Sequence, residues 1–129
     1  MRRTMLYHYT DKTSAAEIIR DGVIRAYPTT LYLSMFGDGE SIDTPPVVWL
    51  TKSATLDGTV AVKLRCAGWS AEDVRRIAVE VSDAMDIAEF IKQSQIKKDW
   101  FMWSLITARL AGSDARDWRI VTRDVTEIV

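Results

Sequence analysis

The sequence predicts a single α+β domain over residues 1–129, with helices inserted between the strands of a mixed or antiparallel sheet. Three observations carry that class. Short β-branched and aromatic runs recur along the chain, bounded by Gly, Pro and Ser. A helix with a start signal follows the first of these runs directly. Val47-Val48-Trp49-Leu50-Thr51 is apolar on both faces, as a central strand is.

Met5-Leu6-Tyr7-His8-Tyr9-Thr10 reads as the first strand. Alternation sends Leu6, His8 and Thr10 to one face and Met5, Tyr7 and Tyr9 to the other. Ser14-Ala15-Ala16-Glu17 fits a capping box, in which the Ser hydroxyl takes a free backbone N–H and the Glu reaches back. Ala15, Ile18 and Ile19 form an apolar stripe behind it, and Gly22 stands where a left-handed terminator belongs. Val23-Ile24-Arg25 reads as a short extended piece, and Leu31-Tyr32-Leu33 fits a short strand or a helix. Between them and the central strand, Gly37-Asp38-Gly39-Glu40 and Thr44-Pro45-Pro46 are loop chemistry.

Beyond the central strand, Thr59 to Leu64 fits another strand and Ser70-Ala71-Glu72-Asp73 a helical turn. Arg76-Ile77-Ala78-Val79-Glu80-Val81 alternates as a strand does. Residues 84–96 and 98–111 read as helices, the second carrying Trp100, Phe101, Trp103, Ile106 and Leu110 at helical spacing and ending at Gly112. Trp118-Arg119-Ile120-Val121-Thr122 and Thr126-Glu127-Ile128-Val129 read as closing strands.

Composition narrows the function classes. A 47% hydrophobic chain of 129 residues can fill one core, and excludes wholesale disorder. The 17 basic and 18 acidic residues leave a net charge of −1, which argues against a generic nucleic-acid coat but not against a local basic groove. The single cysteine, Cys66, excludes an internal disulfide framework, and with one histidine, His8, it excludes multi-ligand Cys or His metal sites. No metal is expected. No apolar run approaches the ~20 residues of a membrane span. Met1-Arg2-Arg3-Thr4-Met5 has charge without an apolar stretch behind it, so no signal peptide is expected. The expectation is a cytoplasmic domain with no membrane partner.

Catalytic motifs with fixed spacing are missing. There is no nucleophile elbow, no P-loop and no dinucleotide-binding glycine pattern. A Cys66–His8 nucleophile pair is conceivable in space, but a lone Cys is more often a small buried hydrophobe. Trp49, Trp100, Trp103 and Trp118 are first of all core anchors.

The order of the pieces is more telling. Tyr7-His8-Tyr9-Thr10, a helix closing at Asp21-Gly22 with Ile24 behind it, Val48-Trp49-Leu50-Thr51 and a closing strand from Trp118 follow one another. This order resembles small proteins of the ADP-ribosyltransferase-like superfamily, whose first strand reads YHYT or YHxT and whose later strand reads VWLT or VWFS. The resemblance spans nearly the whole chain. It implies a split sheet that holds NAD, as substrate, in a cleft between two small sheets. His8 would hold an NAD ribose, Tyr7 or Tyr9 would stack on nicotinamide, Thr10 would flank them and Thr51 would support the acid. A late glutamate would stabilise the oxocarbenium-like transition state, and Glu127 is the residue in the closing segment that matches, with Glu40 and Glu80 as alternatives. The Glu-x-Glu or Gln-x-Glu pattern of many members is absent. Arg76 or Arg119 would suit the pyrophosphate as a bidentate fork. The acceptor would be a macromolecule, nucleic acid or protein, and the protein a bacterial or phage effector or toxin.

Two further classes stand beside this one. The same domain would serve as a non-catalytic inhibitor or adaptor, meeting a partner protein through surface aromatics and the loop from 35 to 46. It would serve as a nucleic-acid-binding module if Arg2, Arg3, Arg75, Arg76, Arg116, Arg119 and Arg123 lined one groove. Convergence of His8 and one acid in a cleft is what separates an enzyme from a binder.

Overall fold

The computed structural model describes residues 3–32, 41–55, 70–94 and 114–129. Six strands are described: β1 (Thr4–Asp11), β2 (Thr30–Tyr32), β3 (Ser41–Asp43), β4 (Val48–Thr51), β5 (Val74–Val81) and β6 (Trp118–Val121). Two helices accompany them, α1 (Lys12–Asp21) and α2 (Ile87–Ser94), with single 3₁₀ turns at Ala71–Asp73 and Ala115–Asp117 leading into β5 and β6. The main sheet has four strands in the order β5-β1-β4-β6, and β2 pairs with β3 in a separate ribbon. Every pairing among these strands is antiparallel. The α+β class therefore stands, and the sheet expected as mixed or antiparallel is antiparallel.

Register assigns the faces. Tyr7 lies opposite both Thr51 and Ala78, and Thr51 opposite Trp118. One face then carries Leu6, His8 and Thr10 with Val48, Leu50, Ile77, Val79, Val81 and Val121, because side chains alternate along a strand. The apolar members of that face pack with Ala15 and Ile18 of α1, and with Ile24 and Val125. The other face of β4 and β6 carries Trp49, Trp118 and Ile120, which pack with Met85 and with Ile87, Phe90 and Ile91 of α2. Trp49 stands edge-on to Phe90 and to Trp118, each at 6.2 Å between ring centres. Each fully buried Leu, Ile or Phe contributes about 1.5–3 kcal/mol, so two helices on opposite faces hold the sheet from both sides. The central position of the VVWLT strand follows directly from this double burial.

Residues 123–129 stitch the edges together. Val125 bridges to Ile24, and Ile128 to Val79 on the side of β5 away from β1. The Glu80 and Val129 amides donate to the Glu127 and Ala78 carbonyls, each at 3.0 Å. Arg123 forks onto Asp83, with both N···O distances 2.8 Å, and onto Glu127. The expected last strand is thus a bridge and two hydrogen bonds rather than a full ladder.

Local chemistry corrects the start of α1. The N-cap is Asp11, whose carboxylate accepts from the Ser14 amide at 3.2 Å, so the helix begins three residues before the expected Ser14 box. Asp and Ser are comparable caps, and the strand hands over to the helix at Asp11 without a connecting loop. Gly22 ends the helix at φ +71° as expected, its amide donating to the Ile18 carbonyl at 2.7 Å. Of the expected helix 84–96, Ile87–Ser94 is helical, 84–86 is not, and 95–96 lies outside the described residues; expected strand 76–81 begins earlier, at Val74. The expected strand 59–64, the expected helix 98–111 and Cys66 lie outside the described residues.

Candidate functional site

The strand-to-helix handover at Asp11 sets β1 against α1 and leaves a pocket between them. It measures about 370 Å³, and its walls include His8, Thr10, Glu17, Asp21, Arg25 and Tyr27. That size falls in the range of about 300–1,000 Å³ typical of small-molecule sites.

His8 is half-buried on the strand side. Its Nδ1 lies 2.9 Å from the Trp49 carbonyl, which only accepts, so Nδ1–H donates and Nε2 carries the lone pair of a neutral ring. Its pKa is lowered from the ordinary histidine value: desolvation of the imidazolium dominates, and the Trp49 carbonyl opposes it. The imidazole is therefore neutral at pH 7, with no hydrogen-bond partner for Nε2 among the described residues.

The opposite wall is a face of α1. Ser14, Glu17, Ile18 and Asp21 follow the helical period, so they share one face, and Ile18 also touches the core. Asp21 is held below the usual carboxylate range, first by its hydrogen bond from Arg20 at 3.0 Å and less by the charges of Arg20 and Arg25. Both Glu17 and Asp21 are exposed, as pocket-mouth residues are.

The third wall, residues 23–29, has little regular structure and is pinned from several sides. The Ala26 amide donates to Asp124 Oδ1 at 2.7 Å. Tyr27 and Val47 exchange backbone hydrogen bonds of 3.1 and 3.0 Å. The Thr29 amide donates to Thr44 Oγ1, and the Trp49 indole N–H to Thr29 Oγ1, both at 2.9 Å. The Tyr27 side chain is nevertheless 64% exposed. Its backbone is fixed and its ring is free, which suits an aromatic face for a ligand.

Of the residues expected to bind together, His8 and Thr10 line this pocket, whereas Tyr7, Tyr9, Thr51 and Arg76 do not. They belong to the opposite face of the sheet, and no single cleft takes both sets. There the Tyr9 hydroxyl donates to the Ser53 carbonyl at 3.0 Å, and Thr51 Oγ1 accepts from the Ser53 amide at 3.1 Å. Arg76 stands 5.1 Å from the centre of the Tyr7 ring and donates to the Ala54 carbonyl. The period-2 rule already separated His8 from Tyr7 and Tyr9; grouping them by adjacency in YHYT overrode it.

The expected acids also lie elsewhere. Glu127 lies beside the outer edge of β5 and does not line the pocket. Arg123, the Thr126 amide and the Thr126 hydroxyl hydrogen-bond to its carboxylate, with Arg123 contributing most to a pKa of about 2. Glu80, opposite Met5, points to the Tyr7 face. Glu40 lies outside the described residues. Glu17, Asp21, Arg25 and Tyr27 were the residues missed. Helical periodicity identified the α1 stripe as core and passed over the carboxylates at its margin, though their spacing of four places them together on the side that Ile18 shares.

Compared with family models, curated proteins and solved structures, the chain matches none. Among the described residues, no group of three or more His, Cys, Asp or Glu is placed to hold a metal ion, and no helix is long and apolar enough to cross a membrane.

Proposed function

We propose that the β1–α1 pocket binds NAD and that the domain is an ADP-ribosyltransferase-like enzyme acting on a macromolecular acceptor. The observation that carries this reading is the convergence of His8 with two carboxylates, Glu17 and Asp21, on one pocket. In it, Glu17 or Asp21 takes the role that the resemblance gave to Glu127. Neutral His8 accepts a ribose hydroxyl at Nε2, its orientation fixed by the Trp49 carbonyl. Tyr27 offers its ring to a flat heterocycle and Arg25 its guanidinium to the pyrophosphate.

The bond between the anomeric carbon and the nicotinamide nitrogen breaks, and its electron pair neutralises the pyridinium. Positive charge then develops on the ribose, where a neighbouring carboxylate stabilises it. An acceptor nucleophile adds to the anomeric carbon and releases its proton to that carboxylate or to water. A second reading, NAD binding without turnover, is favoured by the exposure of Glu17 and Asp21, since solvent screens a carboxylate's hold on developing charge.

Nicotinamide release from NAD, followed by mass spectrometry with and without DNA, RNA and cell lysate, tests the proposal. Release should disappear in His8→Ala, fall at least tenfold in Glu17→Gln or Asp21→Asn, and survive in Glu127→Gln. Thermal stabilisation by NAD without release supports the second reading. Neither release nor stabilisation refutes both, and leaves the non-catalytic adaptor to be sought by pull-down.

A further inference from the structure

We infer that Asp124, which lies outside the pocket, is a positioning residue for it: through the Ala26 amide it aims Arg25 at the pyrophosphate of the bound dinucleotide. The inference rests on the NAD reading and adds to it a residue that touches no ligand.

Arg25 is the only arginine or lysine among the described residues that line the pocket. Most other described arginines are already engaged. Arg20, Arg116 and Arg123 are paired with Asp21, Asp114, and Asp83 and Glu127. Arg75, Arg76 and Arg119 donate to main-chain carbonyls. Register also divides that last group, with Arg75 and Arg119 on the His8 face of the sheet and Arg76 on the other, so the expected arginine groove is broken. Arg25 is exposed and has no hydrogen bond or ion pair among the described residues. Asp21, across the mouth and bonded to Arg20, feels the charge of Arg25 without pairing with it. A planar guanidinium left open in this way suits two oxygens of a phosphate.

Where that guanidinium points depends on its backbone. Ile24 exchanges main-chain hydrogen bonds of 2.8 and 2.9 Å with Val125, and Tyr27 exchanges its own with Val47. Arg25 and Ala26 lie between these two anchors. Their one hydrogen bond among the described residues is the Ala26 N–H to Asp124 Oδ1, at 2.7 Å. That N–H belongs to the planar peptide joining Arg25 to Ala26, so Asp124 sets the ψ of Arg25 and with it the direction of its side chain. An ionised acceptor makes this bond stronger than a neutral one. Asp124 is held in turn, because Arg123 Nη1 donates to its carbonyl at 2.9 Å and Val125 follows it in the bridge to Ile24. A long side chain on a fixed backbone has less freedom to lose when it closes on a ligand.

Calorimetric titration of the full chain with NAD tests this. Arg25→Ala should weaken binding about tenfold and Asp124→Ala about fivefold. Asp124→Asn keeps Oδ1 as an acceptor and should stay within about twofold of wild type, which separates the lost hydrogen bond from the lost charge. Added to Arg25→Ala, Asp124→Ala should cost nothing further, because both act through one contact; a general loosening of the fold would add its own loss. Wild-type affinity in Asp124→Ala, equal weakness of Asp124→Asn and Asp124→Ala, or additive losses in the double variant overturn the inference while NAD binding by the wild type stands. Absence of NAD binding by the wild type refutes the reading itself, and the inference with it.

Discussion

Arg123→Gln is expected to destabilise the fold by about 1–2 kcal/mol at neutral pH, and to abolish a specific part of its acid sensitivity. Arg123 holds Asp83, in the turn after β5, and Glu127, beside the outer edge of β5. Glu127 titrates at about 2 instead of its ordinary 4.5, chiefly because Arg123 hydrogen-bonds its ionised form. Taken at face value, such a shift is worth about 3 kcal/mol. The side chains of Arg123 and Glu127 are 40% and 29% exposed, however, and solvent screening reduces the pair to about 1 kcal/mol. The fork to Asp83 adds a smaller share at 48% exposure of its carboxylate.

The sign follows from linkage. A carboxylate with a depressed folded-state pKa stabilises fully above its unfolded value, and that stability is lost as pH falls from about 4.5 through about 2. Urea unfolding of wild type and Arg123→Gln at pH 7, 4 and 2.5 measures this. The gap should be largest at pH 7, corresponding to roughly 3–6 °C in Tm per kcal/mol. It should narrow towards pH 2.5, and at about 1 M salt. Parallel stability curves across that pH range would refute the argument, because the clamp would then contribute nothing that titrates.

Phe90→Ala should cost about 3–5 kcal/mol by calorimetry or urea titration, since the ring is completely buried against Trp49 and collapse of the site would have to move α2. Gly22→Ala should cost about 1 kcal/mol although a Cβ there meets nothing within 4 Å: the loss is backbone strain at φ +71°, so Gly22→Asn should recover part of it. Asp11→Ala should cost about 1 kcal/mol by removing the α1 cap, with Asp11→Ser close to wild type by the same measurement.

Much of the framework was legible because it depends on short-range rules. The β1 alternation, the helix terminator at Gly22 and the doubly buried strand at 47–51 each need only a few neighbouring residues to specify them. The cap at Asp11 was legible in type but misplaced, since Asp11 and Ser14 are both competent caps and only the end of β1 decides between them. The site was less legible. Its walls come from β1, α1 and residues 23–29, and the last wall is held by Val47, Thr44 and Asp124, partners far away in sequence. No local pattern encodes the Asp124–Ala26 bond across 98 positions. Glu127 was attractive by position in the chain, yet Arg123 four residues earlier already offered it a partner, a pairing that helical or turn spacing brings within reach.

The stitching of residues 123–129 onto Ile24, Ala26 and β5 has a consequence for synthesis. β5 takes one neighbour from the first strand and the other from residues 127–129, and the pocket wall waits for Val125 and Asp124. At about 5–20 residues per second, β1 and α1 leave the ribosome several seconds before these partners exist. During that interval β1 already gains β4 and β5 to pair with, whereas β5 still lacks its second neighbour and residues 23–29 lack Asp124 and Val125, so the outer edge of β5 and the pocket wall are the last parts of the fold to be completed.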